Sequence, residues 1–440
     1  LPREVYPYSN EAELIVVHTN VEVGSPAYYA LLTGHFQRII QWFQDRNEKR
    51  WVKEGLAELA LQLAGLQSTE DAQAYLESPT ASLTTWRETE TPPHRGAAFL
   101  FAAYFHQHFG DEGIRELMSQ SLDGIAGFDA TLDALGAEQT FEDFFGDWLV
   151  ANYLNVDLAN TSSPYTSAAL DLPRPAREAS YEQYPVTIEA SVQQFGAAYL
   201  SLRGDADLVL RFTGTPTVTL LTPSAHSGRY YWWSNRADES MTTLTRAFDF
   251  SAIEPGQPIT MTYWAWYDVE RGYDHVTVEA GTDDDEWRTL LTMPKSNVPS
   301  QRWVQEQVDL APYAGTQVTV AFNYLTDAAI TGEGFFVDDI AIPAIGYVDD
   351  LESAMPTWES NGFIHSDGQI AQRYLVRLIG LEEENAGVPT IEHLHLDEQG
   401  PTEWLVPLKS KGWDEAILVI SGLGPLTPHP AHYVLSIVEK

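Results

Sequence analysis

The segment Leu31–Glu58 reads LLTGHFQRIIQWFQDRNEKRWVKEGLAE, and it decides how the first third of the chain folds. Ser25-Pro26 just ahead of it supplies a helix cap and a preorganised first turn. Leu31, Leu32, Ile39 and Ile40 form the apolar set of one helix that runs to about Phe43. A second helix spans about Glu48 to Ala64 and stops at Gly65. A third covers about Arg95 to His108, ended by Gly110, and helical periods continue to Leu154.

Beyond that the pattern changes. Asn160–Ser180 is rich in Pro, Ser and Ala and reads as a linker. From Tyr184 onward, short strands such as Ala198–Leu202, Ile259–Tyr267, Thr316–Tyr324 and Gly334–Ile342 alternate with Gly, Pro, Asn and Asp turns. The expectation is a multidomain α+β chain: a mainly α-helical domain over 1–158, a linker over 159–183, then all-β sandwich domains. Residues from about 224 to 347 form one sandwich in this reading. It is inserted into a second sandwich made of 184–223 and 348–440, because the strands of 184–222 are too few to stand alone.

Composition narrows the function. The 440 residues carry 63 acidic against 25 basic side chains, a net charge of −38. Such a field repels phosphate backbones and anionic lipid, so a nucleic-acid partner is excluded as an expectation. It favours hard cations, Ca²⁺ in particular. The absence of cysteine removes disulfides, thiolate metal sites and cysteine nucleophiles. No apolar run is long enough for a membrane helix, so membrane insertion is not expected. Leu1 is not an initiator Met, and a processed or trimmed product is the expectation.

The helix pair of Leu31–Glu58 resembles that of gluzincin-type secreted metallopeptidases grouped with immune inhibitor A. That family places His-Glu-Phe-Gln-His on one helix and Trp-x-x-Glu-Gly-x-x-Glu on the next. Two histidines one turn apart and a glutamate from the second helix hold Zn²⁺, while the glutamate after the first histidine polarises a bound water. Here the two histidine positions are Gly34 and Arg38, and the general-base position is His35. Glu54 survives, in Trp51-Val52-Lys53-Glu54-Gly55-Leu56-Ala57-Glu58. Glycine offers no donor atom, and arginine stays protonated. The resemblance thus implies a degenerate metallopeptidase-like domain with no catalytic residues and without Zn²⁺. Its vestigial site comprises Gly34, His35, Arg38, Glu54 and Glu58, with Arg38 expected to pair with Glu54. Rebuilding a zinc site would need His35, Glu54 or Glu58, and His106 or His108. The likeness continues through Gly96–Phe101 and Thr140–Leu154. Arg95 stands where similar proteins carry a tyrosine.

Residues 224–347 resemble the MAM-like jelly-roll module that accompanies immune inhibitor A-type proteins. The segments that carry the likeness are Ser227–Leu244, Tyr263–Asp274, Asp309–Gly315 and Phe335–Pro343. Such modules often hold a Ca²⁺ at the strand ends. The candidate ligands are Asp238, Glu239, Asp268, Glu270, Asp274, Asp327, Asp338 and Asp339. Asp283-Asp284-Asp285 followed by Glu286 reads as a hairpin turn, lacking the spacing of an EF-hand. In the aromatic runs Tyr230–Trp233 and Tyr263–Tyr267 strand alternation makes one face core, the reading for at least half of them, and leaves any exposed remainder to bind glycan or protein.

Together these observations point to a non-catalytic protein, secreted or at the cell surface. Its roles would be adhesion, envelope assembly or binding of an extracellular protein or glycan, with self-assembly open to it. Two alternatives remain: an active secreted zinc metallopeptidase with an altered metal site, and a set of glycan-binding modules.

Overall fold

The computed structural model describes residues 14–45, 48–86, 91–155, 165, 172–236, 240–282, 287–294, 301–327, 332–353, 355–382, 389–397 and 400–440. The chain divides into two compact units, Leu1–Val218 with Ala371–Lys440, and Thr219–Ile370.

The first unit begins with six helices: α1 (Pro26–Gln44), α2 (Arg50–Leu63), α3 (Glu70–Glu77), α4 (Thr91–Ser119), α5 (Gly124–Ala134) and α6 (Phe141–Leu154). Ser25 caps α1 by accepting from the Tyr28 amide, with Pro26 in the first turn. Gly110, at φ +61° and ψ −161°, breaks α4 where the sequence placed an end. Thr140 and Asp143 close a capping box at the start of α6. Phe101 lies at the centre, with the rings of Trp51, Phe128, Phe141, Phe144 and Trp148 within 5.3–5.9 Å of it or of one another. A Cβ on Gly96 would lie 1.9 Å from the Asp71 carbonyl, so only glycine lets α4 pass α3 this closely.

Two sheets complete this unit. One is ordered Ala179–Tyr181, Ala198–Leu202, Glu415–Gly422, Tyr374–Leu381, Thr390–Leu394, and the other Val186–Val192, Ala431–Glu439, Leu208–Gly214, Thr402–Val406. The strand Glu415–Gly422 is buried along its whole length. Ile417 and Val419 join the helical core, whereas Ala416, Leu418 and Ile420 join the core between the sheets. The same period-two split places Leu375 and Ile379 with the helices and Val376 and Leu378 with the second sheet. The helices are therefore one layer of a three-layer body that shares a sheet with the sandwich. Within the expected linker, Ala179–Tyr181 is a strand paired in parallel with Ala198–Leu202.

In the second unit, one sheet is ordered Arg288–Met293, His275–Gly281, Gln317–Leu325, Met241–Asp249, Glu359–Asn361. The facing sheet is ordered Val304–Asp309, Thr260–Asp268, Gly334–Ile342, Tyr231–Trp233, Ile364–Ser366, with Tyr347–Asp349 pairing to Gly334–Ile342. Both sheets feed one core that includes Leu244, Tyr263, Val278, Phe322 and Phe335. The strands Glu359–Asn361 and Ile364–Ser366 pair inside this unit. Residues 348–370 therefore belong here and not with the C-terminal strands, as the sequence had suggested. Their short, polar composition hid that pairing.

Candidate functional site

On α1, Gly34 is buried and His35 is exposed. Arg38, one turn after Gly34, sends its guanidinium across to α2. Its Nη2 lies 2.6 Å from Glu54 Oε2 and its Nε 3.3 Å from Oε1, a two-pronged pair between half-buried side chains. A Cβ added at Gly34 would stand 3.5 Å from Arg38 Nη1, so the arginine lies directly over the glycine. A second pair flanks it, with Arg95 Nε 2.7 Å from Asp71 Oδ2. Glu58 accepts from Gln67 Nε2 at 3.2 Å. Burial raises its carboxyl above the usual range, while Arg95 and Arg38 pull it down. Arg95 stays firmly charged through its bond to Asp71 and the fields of Asp71, Glu58 and Glu54. His106 and His108 turn elsewhere, to Asp111 at 2.9 Å and to the Tyr104 carbonyl at 2.8 Å. Zn²⁺ does not fit this donor set. The position facing Glu54 holds a guanidinium, and an arginine cannot give it up by deprotonation.

Of the carboxylates expected to bind Ca²⁺, Glu270, Asp274 and Asp327 come together, with one oxygen from each within 4.8 Å of the others. The antiparallel pairing of His275–Gly281 with Gln317–Leu325, in register at Leu325 and His275, delivers Asp274 and Asp327 to the same end of the sheet. Asp274 is only 2% exposed. It accepts from the Asp327 and Glu270 amides at 3.1 and 3.4 Å and from the Tyr324 hydroxyl at 3.3 Å. Burial raises its carboxyl, and the neighbouring Asp327 raises it further. Close carboxylates with hard oxygen donors fit the chemistry of a Ca²⁺ ligand set.

The other described candidates do not join that group. Asp268 accepts from the Glu333 amide at 3.3 Å and from Gln301 Nε2 at 3.4 Å. Asp338 is fully buried and fastens a turn, its Oδ2 accepting from the His226 and Ser227 amides at 2.8 and 3.2 Å. Burial pushes its carboxyl up to about 7. Asp339, at φ +48°, meets His226 Nδ1 at 2.6 Å and accepts from Ser227 Oγ at 2.8 Å. Asp238, Glu239 and Asp283–Glu286 lie outside the described residues.

The aromatic runs are core. Tyr231, Trp232, Trp233, Tyr263, Trp266 and Tyr267 are all buried. Trp264 is half-buried, and the His226 imidazole stacks on it at 3.8 Å. Most of these aromatic side chains therefore pack into the two cores on either side of the sheet, while Tyr230 and Trp264 stay half-buried.

The structure also gathers a carboxylate group that sequence reasoning passed over. Asp45, Glu48 and Asp123 bring one oxygen each within 4.8 Å of the others. Glu48 is 2% exposed, and burial pushes its carboxyl up to about 7. It accepts from the Lys49 and Gly124 amides at 2.6 and 2.8 Å, which ties α2 to the start of α5. Asp45 and Glu48 lie within the Leu31–Glu58 segment that the sequence singled out; Asp123 does not.

Residues 205–368 match the model of the immune inhibitor A-like MAM domain, and the chain is immune inhibitor A-like with a MAM-like module. It is 26% identical over 212 residues to the pre-pro-metalloprotease PrtV of Vibrio cholerae serotype O1 (strain M66-2), covering 42% of this chain and 23% of that protein. It is 28% identical over 152 residues to immune inhibitor A of Bacillus thuringiensis subsp. alesti, covering 32% of this chain and 21% of that protein. The chain thus spans less than a quarter of the length of these curated relatives. A carbohydrate-binding module solved with β-1,4-galactotriose aligns over 30% of this chain and 86% of its own at 13% identity. Its TM-score of 0.19 is too low to carry an argument. Among the described residues no helix is long and apolar enough to cross a membrane.

Proposed function

We propose that this chain is a non-catalytic extracellular protein descended from a zinc metallopeptidase. In this reading its helical layer is a degenerate peptidase domain, and its sandwiches bind a protein partner in adhesion or envelope assembly. The observation that carries the reading is the two-pronged pair between Arg38 and Glu54, which puts a permanent cation where a peptidase would need a metal. A guanidinium and Zn²⁺ cannot share one carboxylate pocket without strong repulsion. Native protein analysed by mass spectrometry should carry no stoichiometric zinc, and casein should remain intact with or without chelator. Zinc at one equivalent, with chelator-sensitive cleavage that Glu54→Gln abolishes, would sink the proposal.

Within the same proposal, the inserted sandwich takes a structural Ca²⁺ at Glu270, Asp274 and Asp327. Burying Asp274 beside two further carboxylates is costly, and a hard divalent ion offsets that cost at short range. When bound, the ion would supply charge neutralisation and fix the ends of two strands.

A further inference from the structure

In the second unit, the sheet that contains Thr260–Asp268, Gly334–Ile342 and Tyr231–Trp233 sends Trp232, Phe335 and Val337 into the main core. Its opposite face would meet water in an ordinary antiparallel sandwich. Here Tyr231, Trp233, Trp266 and Phe336 lie on that face, and all four are buried. Their cover comes from the segment just before Tyr231, whose Leu220, Leu221 and Ala225 pack on them together with Trp303 and Ile370. Carboxylates fasten this cover. Thr222 gives its amide and hydroxyl to Glu333 at 3.1 and 2.5 Å. The His226 and Ser227 amides go to Asp338, while the Ser227 hydroxyl and His226 Nδ1 meet Asp339 at 2.8 and 2.6 Å. The Arg229 and Tyr230 amides both donate to Glu352 Oε1, at 2.7 and 2.8 Å, and the Arg229 guanidinium reaches Asp367 at 2.6 Å. Gly228, at φ +58°, permits the close seat on Glu352, because a Cβ there would overlap the carboxylate.

One short segment thus hangs on Glu333, Asp338, Asp339, Glu352 and Asp367. Hydrogen bonds to ionised acceptors are the strong ones, and they weaken when the acceptor takes a proton. We propose that Thr222–Tyr230 is an acid-released strap: it is clasped to the sheet while its acids are charged, and it lifts when they are protonated, uncovering Tyr231, Trp233, Trp266 and Phe336 while the main core stays folded. The clasps at its end set the direction. The Tyr230 and Arg229 amides hold the Glu352 carboxyl below its ordinary 4.5. Burial acts to raise Asp367, yet the Gln369 amide and Arg229 bring it below its ordinary 3.8. Both groups stabilise the clasped state above their ordinary values, and that contribution is lost as pH falls through their lower folded values. Asp338 has the opposite sign. Raised to about 7 by burial, it holds its proton before release begins and does not drive it. The other charged or titratable groups around the clasps are Arg229, Arg236, His226, His365, Asp268 and Asp350. The cations among them favour the ionised acids and so hold release to acid conditions.

Hydrogen–deuterium exchange of the full chain, read by mass spectrometry between about pH 7 and about pH 3 and corrected for intrinsic exchange, separates strap from core. Peptides covering 222–233 should lose protection by about tenfold or more in acid. Those from Thr260–Asp268 and Gln317–Leu325 should keep theirs over the same range, and fluorescence of the apolar dye ANS should rise with strap opening. Glu352→Gln combined with Asp367→Asn should loosen the strap by a similar factor already at neutral pH, because an amide offers no charged acceptor. Gly228→Ala should loosen it at every pH by overlap with Glu352, which keeps the test decisive if the double variant folds poorly. Three results would overturn the proposal: strap and core losing protection at the same pH; a strap as protected in acid as at neutral pH; or both variants matching the parent chain.

Discussion

Two carboxylate sites in this chain are built in opposite ways. In the helical layer Glu54 is met by Arg38 and Asp71 by Arg95, so each acid has a covalently attached cation beside it. In the inserted sandwich Asp274 has Glu270 and Asp327 within 4.8 Å, and its own partners are two backbone amides and a phenol. The first arrangement is complete as the chain folds. The second brings three carboxylates together at the end of a sheet, the site at which the proposed Ca²⁺ would sit. Built-in cations make a site rigid and independent of its surroundings, while a bound ion would make the sandwich respond to the calcium outside it.

The strongest attempt to break that contrast is to convert the helical site. Gly34→His with Arg38→His restores an i, i+4 histidine pair opposite Glu54 and should take zinc uptake from none to near one equivalent. Equilibrium dialysis reads the result directly. Uptake already present in the parent chain would erase the distinction between the two sites.

Removing calcium is the next largest effect. Calorimetry in excess EDTA against Ca²⁺ at about a hundredfold over its Kd should separate the inserted unit by about 2.7 kcal/mol. Asp274→Asn should abolish the difference, and Asp338→Asn should leave it. Identical melting curves in both buffers would mean the sandwich tolerates its acids unaided.

A third comparison uses pH. Asp338 rises from its ordinary 3.8 to about 7 because it is buried. Between those values the folded state holds a proton the unfolded chain has lost, so stability is highest below pH 4 for this group and falls as pH climbs toward 7. Asp338→Asn should flatten that slope by up to one proton, measured by denaturant titration from pH 4 to 8. An unchanged slope would mean that the group does not titrate in this window.

The smallest effect belongs to the surface-facing ion pair. Arg38→Leu should cost about 1 kcal/mol, since the pair is half exposed and screened by water. A loss several times larger would show the guanidinium to be a structural keystone of α1 and α2.

The helices were largely readable because Leu31, Leu32, Ile39 and Ile40 set a period and Gly65 and Gly110 marked its ends. α3, eight residues long, carries too few turns for such a signal. The unexpected exposure of Phe36, at 60%, and Phe43, at 62%, shows that apolar character on α1 does not say which face is covered. Nor could the strand EAILVISG at 415–422 announce its neighbours. Its continuous apolar run implies burial on both faces, yet the helices on one side come from residues almost 300 positions earlier.

Sequence by itself determined the chemistry available at each position. Gly34 has no donor, Arg38 cannot lose its charge, and the absence of cysteine removes thiolate chemistry, all properties of single side chains. Tertiary structure alone decided which acids meet. Asp274 and Asp327 are brought together by the register of two strands, and Asp338, adjacent in kind, is turned by a buried strand toward the amides of His226 and Ser227. Register is a collective outcome of packing along whole strands, and no single residue encodes it.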